Sequence, residues 1–250
     1  EAMQDGSRDL HLTDALGPNA SRVFTVASGK FEQQTIPYLF THDGFYQVFL
    51  KQNKALAKDT VEDNWVLGDV GRARAPDPER LQQDVQTYYD KDFIQYWSNM
   101  LGNLKIKSIS NIQQSIELLE FASAPNSPIR LLLETIDKET SLTRKPPSPL
   151  DALAAVKEGA EKTVDSRTQK LLKAAQAEGV VQAPTDPPGT VVERHFQPLA
   201  SLVRSVGGAG APFDQTINLL GQLYGFMIDL GSTSDSGGAA IRIAAQRSEG

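Results

Sequence analysis

The strongest constraint in this sequence is one long amphipathic stretch that opens at Asp77-Pro78-Glu79. An Asp side chain can accept the free amides of a first helical turn, and Pro is preset for the first helical position. Glu suits the positive end of the helix dipole. Behind this start Leu81, Val85, Tyr88, Tyr89, Phe93, Tyr96, Trp97, Met100, Leu101 and Leu104 recur at three- and four-residue steps. The spacing predicts a helix of about 25 residues, about 40 Å long, with a wide apolar stripe that neighbouring elements must cover.

The flanks supply the cover. From Thr41 a helix carrying Phe45, Phe49 and Leu56 is expected to run to Trp65–Leu67 and stop at Gly68. Ser108 to Phe121 repeats the helical spacing with Ile112, Ile116 and Leu119. Ser127-Pro128 opens a further helix with Ile129, Leu132, Leu133 and Ile136 inward, ending near Thr140. Short polar breaks between successive helices favour antiparallel neighbours in a bundle. Later, Thr190-Val-Val-Glu193 reads as a capping box. The helix it starts carries Phe196, Leu199, Leu202 and Val203, is expected to kink or restart at Pro198, and ends at Gly207-Gly-Ala-Gly210. Pro212 to Leu230 presents Phe213, Ile217, Leu220, Tyr224 and Met227 on one face, and Ala239–Gln246 is a short final helix.

Elsewhere the pattern is weak. Residues 1–41 offer one helical turn around Leu12, Ala15 and Leu16, ended by Gly17-Pro18. Val23, Phe24 and Val26 could form a short strand, with no evident partner nearby. Residues 143–149 and 183–189 are Pro-rich breaks, and the Ala- and Lys-rich stretch between them reads as a peripheral helical arm. The fold class expected is all-α, a multi-helix bundle with a short irregular N-terminal segment and Pro-rich linkers. Its divisions are an irregular segment 1–41, a bundle 42–142, a peripheral arm with linkers 143–189, and C-terminal helices 190–250 that pack on the bundle. The expected core is Phe45, Phe49, Trp65, Val85, Tyr89, Trp97, Ile112, Ile116, Leu132, Leu133, Ile136, Phe196, Ile217, Leu220 and Met227.

Composition removes whole classes of chemistry. The 250 residues contain no cysteine, which excludes disulfides, thiolate metal sites and a cysteine nucleophile. The only histidines are His11, His42 and His195, too few for a histidine-rich metal centre. The net charge of −6, with only a thin sprinkle of basic residues over Arg144–Lys173, argues against a nucleic-acid partner. No apolar run reaches the length of about 18 residues that a membrane span needs. The first residue is Glu, and the chain stops straight after a helical pattern, so it reads as a fragment of something longer.

Sites of catalysis are hard to find. No nucleophile elbow, phosphate-binding loop or H-E-x-x-H run occurs, and Gly207, Gly208 and Gly210 lack the spacing of a dinucleotide fold. His42-Asp43 is the one acid–base pair, read here as part of a helix cap. Asp59, Glu62 and Asp63, and separately Asp84, Asp90 and Asp92, read as solvated faces; His195 reads as packed or solvated. The group Tyr88, Tyr89, Phe93, Tyr96 and Trp97 reads as core. No catalytic, cofactor-binding or metal residue is assigned. Gly221 and Gly225 form a small-x-x-x-small pair that marks a possible interface, since each glycine weakens the helix by up to about 1 kcal/mol.

Several runs, in order, carry a family resemblance. They are Ile36-Pro-Tyr-Leu-Phe-Thr-His-Asp-Gly-Phe-Tyr-Gln-Val-Phe-Leu50, Glu62-Asp-Asn-Trp-Val-Leu-Gly68 and Tyr88-Tyr89-x-x-x-Phe93-Ile-x-x-Trp97. Ala124-Pro-Asn-Ser-Pro128, Glu139-Thr140-x-Leu142 and Arg194-His-Phe-Gln-Pro-Leu199 follow. Together they resemble the IcmF/TssM family of type VI secretion systems. The resemblance implies a large protein anchored in the bacterial inner membrane, with a long periplasmic portion of which this chain is a mainly helical part. It implies partners of the DotU/TssL type in the inner membrane and the TssJ lipoprotein type in the outer membrane. Further copies of the protein would complete a ring-like membrane complex. The family's nucleotide-binding domain has no counterpart motif in this chain, and its β-rich C-terminal domain is expected beyond Gly250. The reading is a structural scaffold, not an enzyme. A periplasmic peptidoglycan-processing domain and a stand-alone helical adaptor are the alternatives.

Overall fold

The structure, a computed structural model, describes residues 8–56, 77–146, 186–205, 208 and 210–232. Trp65 and Gly68, the Asp59, Glu62 and Asp63 group, residues 147–185 of the arm and the Ala239–Gln246 helix lie outside them.

The long helix is present. It is α4, Pro78–Asn103, and Asp77 caps it by accepting the Glu79 amide at 3.1 Å. Before it come α1 (Leu12–Leu16), α2 (Ala20–Val23) and α3 (His42–Gly44). The last runs into a π-helical turn, Phe45–Phe49, and on through helical residues 50–56. After it come α5 (Ile112–Ala122), α6 (Pro128–Thr140), α7 (Thr190–Ala200) and α8 (Pro212–Gly231). Ser127 caps α6 as its sequence suggests, accepting the Ile129 amide at 3.3 Å. Helix α5 begins later than Ser108, because Asn111 takes the cap and accepts the Gln114 amide at 2.9 Å.

The fold is mostly helical with two small antiparallel sheets. β1 (Leu10–His11) pairs with β3 (Thr35–Ile36), Leu10 opposite Ile36. β2 (Phe24–Val26) pairs with β4 (Leu104–Ile106), Phe24 opposite Ile106 and Val26 opposite Leu104. The missing partner of the Phe24 strand is thus the chain just past α4, where the helical stripe had been extended to Leu104. Residues 8–41 are built of short elements rather than irregular chain, and they put Leu12, Leu16, Val23, Phe31 and Ile36 into the core.

Of the expected core, Phe45, Phe49, Tyr89, Trp97, Leu132, Leu133, Ile136 and Phe196 are buried. Val85, Ile116, Ile217, Leu220 and Met227 are half-buried. Ile112 is a correction. It is 39% exposed, because it is the first residue of α5 and its side chain lies at the rim. Tyr88, 69% exposed, and Tyr96, 47% exposed, are the others: each stands about 100° round α4 from its buried neighbour, Tyr89 or Trp97, on the side turned away from the core. Pro198 falls within a single helix that runs to Ala200. Its missing amide is lost near the helix end, and no restart follows.

The Thr190 capping box does not form. Gly189 takes the cap position with φ +88°, Thr190 donates its hydroxyl to the Pro187 carbonyl at 2.6 Å, and Glu193 turns elsewhere. A Cβ at Gly189 would stand 2.5 Å from Leu142 Cβ and 3.3 Å from the Phe45 ring. Gly208 also has positive φ, at +81°, but no described atom lies within 4 Å of its added Cβ. Gly208→Ala should therefore cost about 1–2 kcal/mol, the left-handed penalty alone. Gly189→Ala should cost about 3 kcal/mol or more, with overpacking added. Urea unfolding of the two variants checks the difference.

Candidate functional site

The structure gathers two of the separated sequence runs and the first turn of α7 at the C-terminal end of α6. Thr41 starts the first: its Oγ1 accepts the Gly44 amide at 3.1 Å and donates to the Tyr38 carbonyl at 2.7 Å. That tight turn needs Gly44, because an added Cβ would lie 1.8 Å from the Tyr38 carbonyl oxygen. The cap directs the His42 amide onto Glu139 Oε2 at 2.9 Å, and Glu139 is only 4% exposed. Lys138 reaches the other carboxylate oxygen at 3.0 Å, and the contact raises the lysine pKa.

His42 Nε2 lies 2.6 Å from the Arg144 carbonyl, which fixes that nitrogen as the donor. Nδ1 is 3.8 Å from the exposed Asp43 carboxylate. The ring therefore holds the chain that leaves α6 and presents no free Nε2 base. Tyr46 donates to the Leu142 carbonyl at 2.7 Å. Burial, with the Glu193 charge adding to it, raises the Tyr46 pKa, so the hydroxyl stays a neutral donor.

From the first turn of α7, one residue before the Arg194–Leu199 run, Glu193 accepts the Thr143 amide at 3.2 Å and the Thr143 hydroxyl in a shorter bond. Arg204 completes the junction: Nε donates to Asp137 at 2.6 Å and a terminal nitrogen to Ser141 Oγ at 2.7 Å. The same guanidinium is 3.9 Å from Glu193. Ser141 and Thr140 are buried, and their hydroxyls donate back to the Asp137 and Ile136 carbonyls. Neither is poised as a nucleophile, because the only imidazole at the junction faces a carbonyl. This arrangement can tie α3, α6 and α7 together in one register.

Residues 1–141 match the family model for IcmF-related proteins, described as intracellular multiplication and human macrophage-killing. The chain belongs to the IcmF-related family. It is 34% identical over 223 residues to the type VI secretion system component TssM1 of Pseudomonas aeruginosa, across 86% of this chain and 20% of that protein. The chain thus spans about a fifth of the length of that curated relative. Among solved structures, a chain of a type VI secretion system membrane core complex aligns at 21% identity and a TM-score of 0.41. The alignment covers 93% of this chain and 43% of that one.

The remaining sequence candidates of this IcmF-related chain fall apart in space. Asp84 and Asp92 are exposed on α4 while Asp90 is buried, so the three share no face. Among the described residues no three His, Asp or Glu side chains gather as a metal site, and no helix is long and apolar enough to cross a membrane. His195 is exposed, its ring edge-on to Phe196 at 4.8 Å. Gly221 and Gly225 lie on α8 with no described atom within 4 Å of an added Cβ. Close approach there is not made within the described chain; at Gly231 instead an added Cβ would stand 3.1 Å from Ile116 Cδ1.

Sequence reasoning singled out His42-Asp43 but missed Glu139, Glu193, Arg204 and Tyr46 as its surroundings. The described ends of the 143–189 stretch are not peripheral either: Thr143 and Arg144 are bound in the junction and Gly189 is buried against Leu142. The available signal was a charged residue, Glu139, at an inward position of an otherwise apolar helical face. The junction predicts an order of effects. Thr41→Ala should cost about 0.5–2 kcal/mol through the lost cap. His42→Ala should cost about 0.5–1.5 kcal/mol through the lost hydrogen bond to the Arg144 carbonyl. Asp43→Ala, exposed, should stay within about 0.5 kcal/mol. Thermal unfolding of the three variants checks the order.

Proposed function

We propose that this chain is a load-bearing scaffold module in the periplasmic part of a type VI secretion membrane complex. It works by holding position, not by turning over a substrate. The observation that supports this reading is the junction of α3, α6 and α7. There the imidazole and the buried carboxylate are consumed in fixing the register of helices. In the full-length protein, inner-membrane partners of the TssL/DotU type and outer-membrane lipoproteins of the TssJ type would take up the load. Further copies of the same protein would close the ring.

The reading puts the assembly surface on the side of α8 that carries Gly221 and Gly225, where no described atom lies within 4 Å of an added Cβ. In the full-length protein, Gly221→Glu with Gly225→Glu should abolish complex assembly and secretion in cells while this chain still melts cooperatively. Gly221→Ala with Gly225→Ala should raise stability by up to about 1 kcal/mol per site. The scaffold reading fails if a His42→Ala protein melts and assembles like wild type yet no longer secretes, for that outcome demands a chemical role.

A further inference from the structure

Away from the junction, the N-terminal half of α4 carries a polar stripe: Glu79, Gln82, Gln83, Gln86, Thr87 and Asp90 at three- and four-residue steps. With Asn53 on one side and the 186–191 turn on the other, this stripe lines a cleft of about 610 Å³. Most of the amide donors at its wall are engaged. Asn53 Nδ2 donates to the Gln82 carbonyl at 3.4 Å, Gln82 Nε2 returns to the Asn53 carbonyl at 3.1 Å, and Gln86 Nε2 donates to Asp90 at 2.7 Å.

Two acceptors are left over. Asn53 Oδ1 is buried with no hydrogen-bond partner among the described residues. Asp90 is only 5% exposed, and its carboxylate receives one side-chain hydrogen bond, from Gln86. No basic residue is among the described residues that line the cleft, and the nearby Arg194 is paired with Asp186 at 3.1 Å. A buried carboxylate without a counter-charge is costly, and an orphaned buried amide oxygen adds to that cost. What the cleft lacks is therefore a donor that carries positive charge. A sugar fits less well, because no described lining residue offers an aromatic face for a ring to lie on.

We infer that this cleft receives a lysine or arginine side chain of another polypeptide, with Asp90 as its counter-charge and Asn53 Oδ1 as a second acceptor. The apolar rim made by Pro187, Pro188 and Val191 suits the aliphatic stem of such a side chain. The site is separate from the α8 surface, so it can be tested whether or not the scaffold reading stands.

The test is a titration of the isotope-labelled 250-residue chain with Nα-acetyl-lysine N-methylamide at constant ionic strength, followed by nuclear magnetic resonance. The matched norleucine compound, which lacks the ammonium, is the control. The expected result is a saturable shift of the Asn53, Gln82 and Gln86 side-chain amides with the lysine probe alone. Asp90→Asn should weaken binding by about tenfold or more. Because burial raises the Asp90 pKa to about 6, wild-type binding should also fall as the pH drops through 6. Among the described residues the other ionisable groups lining the cleft are Glu79 on α4 and Asp186, paired with Arg194; Tyr89 beside Asp90 has its hydroxyl committed to the Leu39 carbonyl. Equal shifts with norleucine, unchanged affinity in Asp90→Asn, or no saturable shift in wild type would each overturn the assignment. The pH dependence tests it without the variant, should Asp90→Asn fold poorly.

Discussion

Everything in this fold leans on the way α4 grips the chain around Phe40. Two aromatic side chains on its buried face have polar tips, and both tips find backbone carbonyls of the same short segment. Trp97 donates its indole N–H to the Phe40 carbonyl at 2.9 Å, and the Tyr89 hydroxyl donates to Leu39 at 2.7 Å. Phe49 stacks on Tyr89 at 3.8 Å and Phe40 on Tyr96 at 4.5 Å, so the rings fill the space that the hydrogen bonds frame. Large aromatics supply much of the buried area in a core, but an apolar contact alone can slide. Two directional bonds to neighbouring carbonyls set one register for the 36–50 segment on α4, and Thr41, His42 and Gly44 follow from it in the chain.

The second half of the structure inherits that register. Once Thr41 turns the chain, the His42 amide and ring meet α6 and the turn that leaves it, and Phe45 comes up against Gly189. Phe196 then reaches Trp97 from α7, ring centres 6.4 Å apart. Helix α8 is tied on last, by the Phe213 amide to Leu202 at 2.9 Å and by the Arg130–Asp214 pair, which holds the Asp214 pKa below its ordinary range. The chain of dependence runs from α4 outward, and α8 stands at its far end.

How legible this was in the sequence depended on the distance between interacting residues. The caps at Asp77 and Ser127 were readable because a cap is settled within three residues, and the α4 stripe because its period repeats many times. The β2–β4 pairing was not: Phe24 and Ile106 are far apart in sequence, and strands of three residues give no periodicity to count. The Thr190 box misled because a local rule was overridden by a tertiary one, Glu193 being drawn to Thr143. The junction fell between these cases. Its runs were visible one by one, but no local rule says that residues 42, 139 and 193 meet.

Satisfaction of buried polar groups separates the two polar regions of the molecule. At the junction each carbonyl, hydroxyl and carboxylate named above has a partner, so the region acts as a closed network that specifies one geometry. Among the described residues the orphaned buried side-chain atoms are Asn53 Oδ1 and Arg130 Nε. The Arg130 charge is matched by Asp214, so its orphan costs one hydrogen bond within an ion pair. Asn53 Oδ1 has no such compensation, and it shares its cleft with an unpaired buried carboxylate, Asp90. Native structures keep few such groups, and those they keep call for an explanation such as a missing ion or ligand. A chain that closes its polar network at the junction and leaves it open at the cleft has placed rigidity in one region and the capacity to bind in the other.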